Sequence, residues 1–363
     1  MRIGVIYGGK SLEHDVSIIT GLQVLNNLDK KKYKIVPLYL DHNNELFSFK
    51  QLNDIKTYSK SFKNKPKFAL IKNKGSNLVC VNKKFKKRLK IDLIFNCTHG
   101  FNVEDGTVAS WLNLLDIPHT SSNLLSSSIC QDKDYTKMIM KEINVKVLDW
   151  IVLKDNDKSK NIDLLKDIKY PVIIKPAHLG SSIGINIAKN KIELMEKIKQ
   201  TFLYDNKIII ERLLNNFKEY AVSIYKRKNK LYISKIEIIN LDNQIFDFNE
   251  KYINHHKYIE HQFLKDEELV KIITNQAIKA YNKLEMNGIV RFDFLEENNE
   301  IYLNEINTIP GGLANYLFKD QITFKLLLDE QIREALFVYQ QKNKYLNNYQ
   351  SSILKNTKIT FKK

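Results

Sequence analysis

Apolar and polar positions along this chain change period several times, and each change marks an element. The opening IGVIYGG is a short β-branched run that ends in Gly8-Gly9, the pattern of a buried strand entering a tight loop. A helical spacing follows from about Val16 to Leu28, then a second strand, YKIVPLYLD, over Tyr33 to Asp41, and a third apolar run, IDLIFNCTHG, ending at Gly100. Strand, helix and strand in alternation predict a parallel sheet with helices on its faces. Residues 42–90, rich in Lys and Asn, read as hairpin or loop excursions. The serine cluster from Ser121 to Ser128 reads as a linker that partly packs through its leucines, and a helix resumes from Asp132 to Lys141. Next come the strand YPVIIKPA, the Gly-rich LGSSIG, a Lys/Glu helix over about 191–202 and the strand KIIIERL. Glu219 to Ile239 predicts two antiparallel strands around a turn near Lys228 to Lys230, and 265–286 has helical periodicity. GIVRFDFLEENNEIYLNEIN predicts a hairpin turning at Asn298-Asn299. The last stretch predicts a helix that decays into a polar Lys/Asn-rich tail. No internal repeat is visible.

Composition narrows the class. At 363 residues the chain has room for two or three domains, and 43% apolar residues can build a sizeable core. No run of about 18 apolar residues occurs, so no membrane-spanning helix is expected. The start lacks the basic and apolar regions of a secretory signal, and a cytoplasmic protein is the expectation. Cys80, Cys97 and Cys130 have no metal-ligand spacing and no even pairing. Lys+Arg 58 against Asp+Glu 41 gives +17, which raises the question of nucleic acid. Only six of those cations are Arg, and no basic run interleaves with aromatics as a stacking groove needs. The charge therefore reads as solvated lysine faces, and no specific nucleic-acid partner is expected.

The hairpin carries the sharpest chemical signal. Asp293 lies on its first strand, and Glu305 and Asn307, two apart, project from one face of its second. Three oxygen donors on one face suit Mg²⁺, which accepts carboxylates, keeps waters and bridges nucleotide phosphates. In IIKPAHLGSSIG, Lys175 ends a strand and a loop of Gly180, Ser181, Ser182 and Gly184 follows. Its amides can approach phosphate oxygens while the lysine supplies a point charge. It is not a Walker A loop, since no GKS or GKT follows at the right spacing. In IIIERLLNNFKEYAV a strand exits at Glu211, a place where backbone groups can meet an adenine edge and Glu219 can take ribose hydroxyls.

These pieces, in this order, resemble the ATP-grasp superfamily. GGKSLEHDVS, HGFNVEDGT, DKDYTK, KPAHLGSSIG, FNEKY, RFDF and NEINTIPG narrow the resemblance to the D-alanine–D-alanine ligases, from about residue 3 to about residue 320. The resemblance implies an α/β and α+β multidomain protein. A Rossmann-like N-terminal domain (1–131) would precede a two-domain ATP-grasp fold (132–211 and 212–345), with 346–363 as a polar tail. It implies that Lys133, Lys175 and Lys251 hold ATP phosphates, that Glu211, Leu214 and Glu219 hold the adenosine, and that Asp293, Glu305 and Asn307 hold two Mg²⁺, with Mn²⁺ able to substitute. Arg291 and the Gly311 N–H would stabilise a tetrahedral oxyanion. Glu13 would grip the first D-alanine's ammonium, with Ser181 and Tyr252 bonded to it. His99 and Tyr316 fall on the acceptor side. The implied partners are ATP and D-alanine, and the implied assembly is a homodimer.

Three segments depart from the family's pattern. Tyr316 stands where a Ser that helps hold the second substrate's carboxylate is expected. Its phenol could reach that carboxylate, or its ring could fill the pocket. Val103 replaces a Gly in HGFNVEDG, and His119 to Ser122 reads HTSS in place of aromatic-x-Gly-Ser. Tyr252 is retained, which implies an amine acceptor rather than D-lactate. D-alanine is the expected acceptor, and another amino acid such as D-serine is the runner-up. An idle ATP-binding relative and a Lys-rich nucleic-acid binder are the readings from other classes.

Overall fold

The computed structural model describes residues 1–81, 87–156, 164–239 and 261–345. Lys251, Tyr252 and the tail expected after 345 lie outside them. The first sheet begins with β1 (Arg2–Gly8), whose residues after Arg2 are all buried. That continuous burial is what a parallel strand covered on both faces requires. Helix α1 (His14–Asn27) returns the chain to β2 (Lys34–Leu40), and β1 pairs in parallel with β2 and with β7 (Leu93–Asn96). Between them, the stretch expected as hairpin or loop forms four short strands: β3 (Leu46–Phe47), β4 (Lys67–Leu70), β5 (Leu78–Cys80) and β6 (Arg88–Leu89). They extend the sheet antiparallel, in the order β6-β5-β4-β3-β2-β1-β7. Runs this short carry too few residues for alternation to show.

Helix α2 (Thr107–Leu114) was not visible in the sequence pattern. Leu124–Gln131, inside the expected serine linker, is helix α3, with the Asn123 side chain accepting from the Ser126 N–H at its start. Asp132 caps α4 (Lys133–Glu142) in the same way. Both helices pack their apolar sides into the core of the third sheet: Ile129 and Cys130 from α3, and Ile139 and Met140 from α4.

The second sheet holds β8 (Trp150–Lys154), β9 (Val172–Pro176), β10 (Asn186–Ala188) and β11 (Lys207–Arg212) in the antiparallel order β10-β9-β11-β8. Helix α5 (Lys191–Thr201) covers it through Leu194 and Ile198. The third sheet is built on β12 (Lys218–Arg227). The hairpin partner β13 (Lys230–Ile233) pairs with the end of β12, after a turn with Lys228 and Asn229 at positive φ. A further strand, β14 (Glu237–Ile239), which the two-strand expectation did not separate, returns to the beginning of β12. β15 (Gln262–Phe263), helix α6 (Glu267–Lys283), β16 (Val290–Glu297) and β17 (Glu300–Asn307) follow. β16 and β17 turn at Asn298-Asn299, both at positive φ, the geometry that favours a two-residue hairpin.

One face of this third sheet is core. Tyr220, Val222, Phe292 and Phe294 point at α6, where Ile273, Ala277 and Ala280 are fully buried. At about 1.5–3 kcal/mol per fully buried large apolar side chain, this face anchors the domain. The opposite face is left for chemistry. Helix α7 (Phe324–Lys342) packs against α1 and the first sheet, burying Leu327, Leu328 and Ile332 beside Tyr7 and Phe95.

Candidate active site

Strand register sets the site. Asp293 stands opposite Glu305, and Arg291 opposite Asn307, so all four side chains share the face turned away from α6. Between Asp293 and Phe294 the register shifts, because β17 carries one extra residue, Asn304. The bulge lets Leu303 and Ile306 enter the core while Asn304 and Glu305 both face the site. Asp293 is only 4% exposed. It accepts from Arg291 Nε at 2.7 Å and from a terminal Arg291 nitrogen at 2.9 Å, a bidentate pair. Asn307 Nδ2 also donates to Asp293 at 2.9 Å, which turns the Asn307 carbonyl oxygen away from that carboxylate.

The second sheet faces this one with lysines. Lys133, at the first turn of α4, donates to the Leu179 carbonyl at 2.5 Å and reaches Glu305 at 3.5 Å. Lys175 on β9 donates to the Asn304 side chain at 3.2 Å and pairs with Glu211 at 2.7 Å. Lys137, one turn beyond Lys133 on the same face of α4, pairs with the other Glu211 oxygen and donates to the Leu148 carbonyl at 3.2 Å. Burial alone pushes the Glu211 carboxyl up, but Lys175 and Lys137 overcome it and hold it at about 2. Desolvation lowers the Lys137 ammonium, against the pull of Glu211. The Glu211 carboxylate is thus occupied by two lysines, and its reach toward a base is left to the strand exit it stands on. Leu214 lies just beyond, buried with Leu148 and Leu295 in a small apolar cluster edged by Phe217 and Tyr302. Glu219 faces the same side of β12, opposite Leu295.

The first domain supplies the third wall. Ser181 donates to Glu13, which begins α1 from the loop after β1. Ser181 and Ser182 both have positive φ, as a tight Gly/Ser turn needs. Gly100 is required where it stands: its φ is +83°, and a Cβ there would lie 2.4 Å from Ser11 Oγ and 2.6 Å from a Glu13 carboxyl oxygen. Burial raises the Glu13 pKa, with Glu305 adding to it and Ser181, Lys133 and Arg291 opposing, so these groups converge on one space.

His99 is 3% exposed, and its Nε2 shares a hydrogen with Thr20 at 2.8 Å, while Thr20 accepts the Gly312 N–H at 3.0 Å. Burial lowers the imidazole to about 3, so it is neutral. Beside it Glu104 accepts from the Gly100 N–H at 2.9 Å, the Thr308 hydroxyl at 3.1 Å and the Ile309 N–H at 2.8 Å. Burial, with Glu13 adding, raises Glu104 to about 7. His99 and Glu104 therefore hold the loop that carries Gly311. Tyr316, at the end of that loop, donates to Glu237 at 2.9 Å. The other departures from the family pattern are structural as well. Val103 fills the apolar cluster over the first sheet, and Ser122 bonds both the N–H and the carbonyl of Asn287.

The sequence signals missed Lys137, Glu104, Asn304 and Glu237. Lys137 stands in DKDYTK four residues from Lys133, and that spacing on a helix was the available signal. Asn304 falls on the core face by strict alternation, so only the bulge reveals it.

An antiparallel lid sheet and a larger sheet closing a row of lysines onto carboxylates define an ATP-grasp fold, here preceded by a Rossmann-like domain. Sequence models described as D-ala D-ala ligase N-terminus and D-ala D-ala ligase C-terminus match residues 2–122 and 139–324. A D-alanine–D-alanine ligase of Thermosipho melanesiensis is 35% identical over 362 residues, covering 98% of each chain. The crystal structure of D-alanine–D-alanine ligase from Helicobacter pylori superposes with a TM-score of 0.77 at 28% identity, over 92% of this chain and 98% of that one. The VanG D-Ala:D-Ser ligase of Enterococcus faecalis matches with a TM-score of 0.77 at 27% identity, over 92% and 99%. The chain belongs to the D-alanine–D-alanine ligase family.

Proposed function

We propose that this protein joins two D-alanines to D-alanyl-D-alanine with cleavage of ATP to ADP and phosphate, supplying the peptide end of a cell-wall precursor in the cytoplasm, as a homodimer. One observation carries the reading: Glu13 with Ser181, the lysines Lys133 and Lys175, and the line Arg291, Asp293, Glu305 and Asn307 all face one space under the Gly/Ser loop.

Two carboxylates and an amide do not cage an ion alone, and among the described residues no group of three His, Cys, Asp or Glu could do so. That donor set fits Mg²⁺, which takes one or two carboxylates and needs no all-protein cage. Asp293, Glu305 and Asn307 would hold it, and when bound it neutralises phosphate charge. The chain's own residues do the rest. Lys133 would exchange Glu305 for a phosphate oxygen, Lys175 would reach the phosphates from the place Asn304 holds it in, and the Leu214 cluster would take the base. Glu13 would receive the first D-alanine's ammonium. That substrate's carboxylate attacks the γ-phosphate, ADP leaves, and an acyl phosphate forms. The second D-alanine's amine then adds to the acyl carbon, Arg291 and the Gly311 N–H take the oxyanion, and phosphate departs. No protein nucleophile is needed; positioning and charge placement carry the rate.

The test is phosphate release with ATP, Mg²⁺ and a panel of D- and L-amino acids, with products identified by mass. D-alanine alone should support turnover; release without dipeptide, or none at all, refutes the reading. The similarity to a D-Ala:D-Ser ligase keeps D-serine in that panel as the competing acceptor.

A further inference from the structure

The large sheet carries one more buried acid on its active face. Glu237 on β14 is 6% exposed and stands opposite Ala221 of β12, which stands opposite Asp293 of β16. Residues opposite one another share a face, so Glu237 lies on the side of Asp293, two strands and about 10 Å away at the usual strand spacing. The residue between them is alanine, and no long side chain rises there.

Both oxygens of Glu237 are used. The Tyr316 phenol donates to one at 2.9 Å, and His261 Nδ1 bonds the other. The Tyr316 and His261 rings stack, with centroids 4.6 Å apart and planes at 20°. Tyr316 is thereby fixed at its hydroxyl and across its ring by β14 and the start of the β15 segment, not by the loop that bears it. It is close enough to Arg291 and Asp293 to feel both charges, and burial pushes its phenol pKa up, so it remains a donor.

We propose that Glu237, with His261, is a positioning residue that locks the Tyr316 ring as a closed wall of the second-substrate pocket and so restricts the acceptor to a D-amino acid with a side chain about the size of methyl. The proposal rests on the ligase reading above. The phenol hydrogen is committed to Glu237, so Tyr316 acts on the acceptor through its ring and not as a ligand of its carboxylate.

The experiment uses the full chain with ATP, Mg²⁺ and equimolar D-alanine and D-2-aminobutyrate, one methylene larger, with dipeptides sequenced by fragmentation. One methylene in a fitted pocket is worth about 10–200-fold. The wild type should therefore favour D-alanine as acceptor at least about tenfold. Tyr316→Phe and Glu237→Ala should lower that preference about tenfold and raise the second-site KM for D-alanine, with the Kd of a non-hydrolysable ATP analogue unchanged. Glu237→Gln, whose amide oxygen still accepts from the phenol, should keep the wild-type ratio. An unchanged ratio in Tyr316→Phe, which removes only a hydroxyl and keeps the ring, overturns the proposal whether or not Glu237→Ala folds. A shift in Glu237→Gln as large as in Glu237→Ala overturns it too, since the charge would then act directly. A wild type that makes no dipeptide at all refutes the ligase reading instead.

Discussion

Glu211 sits at the end of a central strand with no exposed side-chain surface and two lysines on its oxygens. Removing one member of a buried charge group typically costs about 3–5 kcal/mol, because the remaining charge stays desolvated. Glu211→Ala leaves Lys137 buried without a carboxylate, and it should lower unfolding stability by about 3 kcal/mol in a denaturant titration. A loss under about 1 kcal/mol would show that Lys137 finds other solvation. Glu305 is different: it is partly exposed and its carboxylate faces the phosphate space. Glu305→Gln should leave stability within the usual surface range of about 0.5 kcal/mol but cut turnover about a hundredfold at saturating Mg²⁺, the scale of about 2.7 kcal/mol of transition-state stabilisation. Near wild-type turnover would remove Glu305 from the metal set. Glu305 and Asn307 were legible as a pair because, two apart on one strand, they share a face; that Asp293 shares it too depends on the bulge, since a two-residue turn with strict alternation would set Asp293 opposite Asn304. Glu237 and His261 were not legible, because what defines them is a tyrosine 79 and a carboxylate 24 residues away in sequence.

At the scale of elements, the β17 bulge and the lid loop do the positioning. Without the bulge, pairing in register from the turn would keep Leu303 in the core and set Asn304 opposite Asp293, but it would turn Glu305 and Asn307 to the core face. Asn304→Ala keeps the backbone bulge but removes the Lys175 partner, so the KM for ATP should rise a few-fold while the melting temperature holds, given about 1.5–3 kcal/mol at most for a hydrogen bond to a charged group. The lid loop is tied by His178, which bonds Asp205 and Asp132 and stacks on Phe101 of the first domain. Burial lowers its imidazole, but the two carboxylates more than reverse this and bring it to about 9. A pKa raised above the unfolded 6.5 stabilises the fold fully below about pH 6.5 and loses that contribution as pH rises through about 9. The gap corresponds to at most about 3 kcal/mol. Wild type should melt higher than His178→Gln at pH 6.5, and the difference should shrink toward zero by pH 9.5. A constant difference across that range would mean the imidazole is not the titrating group. The helices and long strands here were readable in the sequence. Strands of two to four residues between 46 and 89 were not, since their pairing partners decide them.

For the whole molecule, the site exists only where three bodies meet. Ser181 to Glu13 joins lid and first domain, Glu104 to Thr308 and Ile309 joins first domain and catalytic loop, and Ser122 to Asn287 ties the first domain to the approach to β16. The family motifs located these segments in the sequence, but which hydrogen bond closes which gap depends on the packing. The charge belongs to the same scale. The chain is +17, yet among the described residues the buried lysines, Lys137, Lys175 and Lys207, are each paired with carboxylates. Outside that interior the described lysines are mostly exposed and scattered over all three sheets' surfaces. A scattered basic surface attracts polyanions by releasing counterions, without reading a base. Duplex DNA should therefore bind only weakly, with a Kd of about 10⁻⁴–10⁻⁶ M near 0.15 M salt, the same for unrelated sequences, and fall off steeply as salt rises. A fluorescence-anisotropy titration at several salt concentrations checks this. Sub-micromolar binding that depends on sequence at that salt would mean that the lysines form a recognition surface, and that the charge has been selected for a partner the ligase fold does not require.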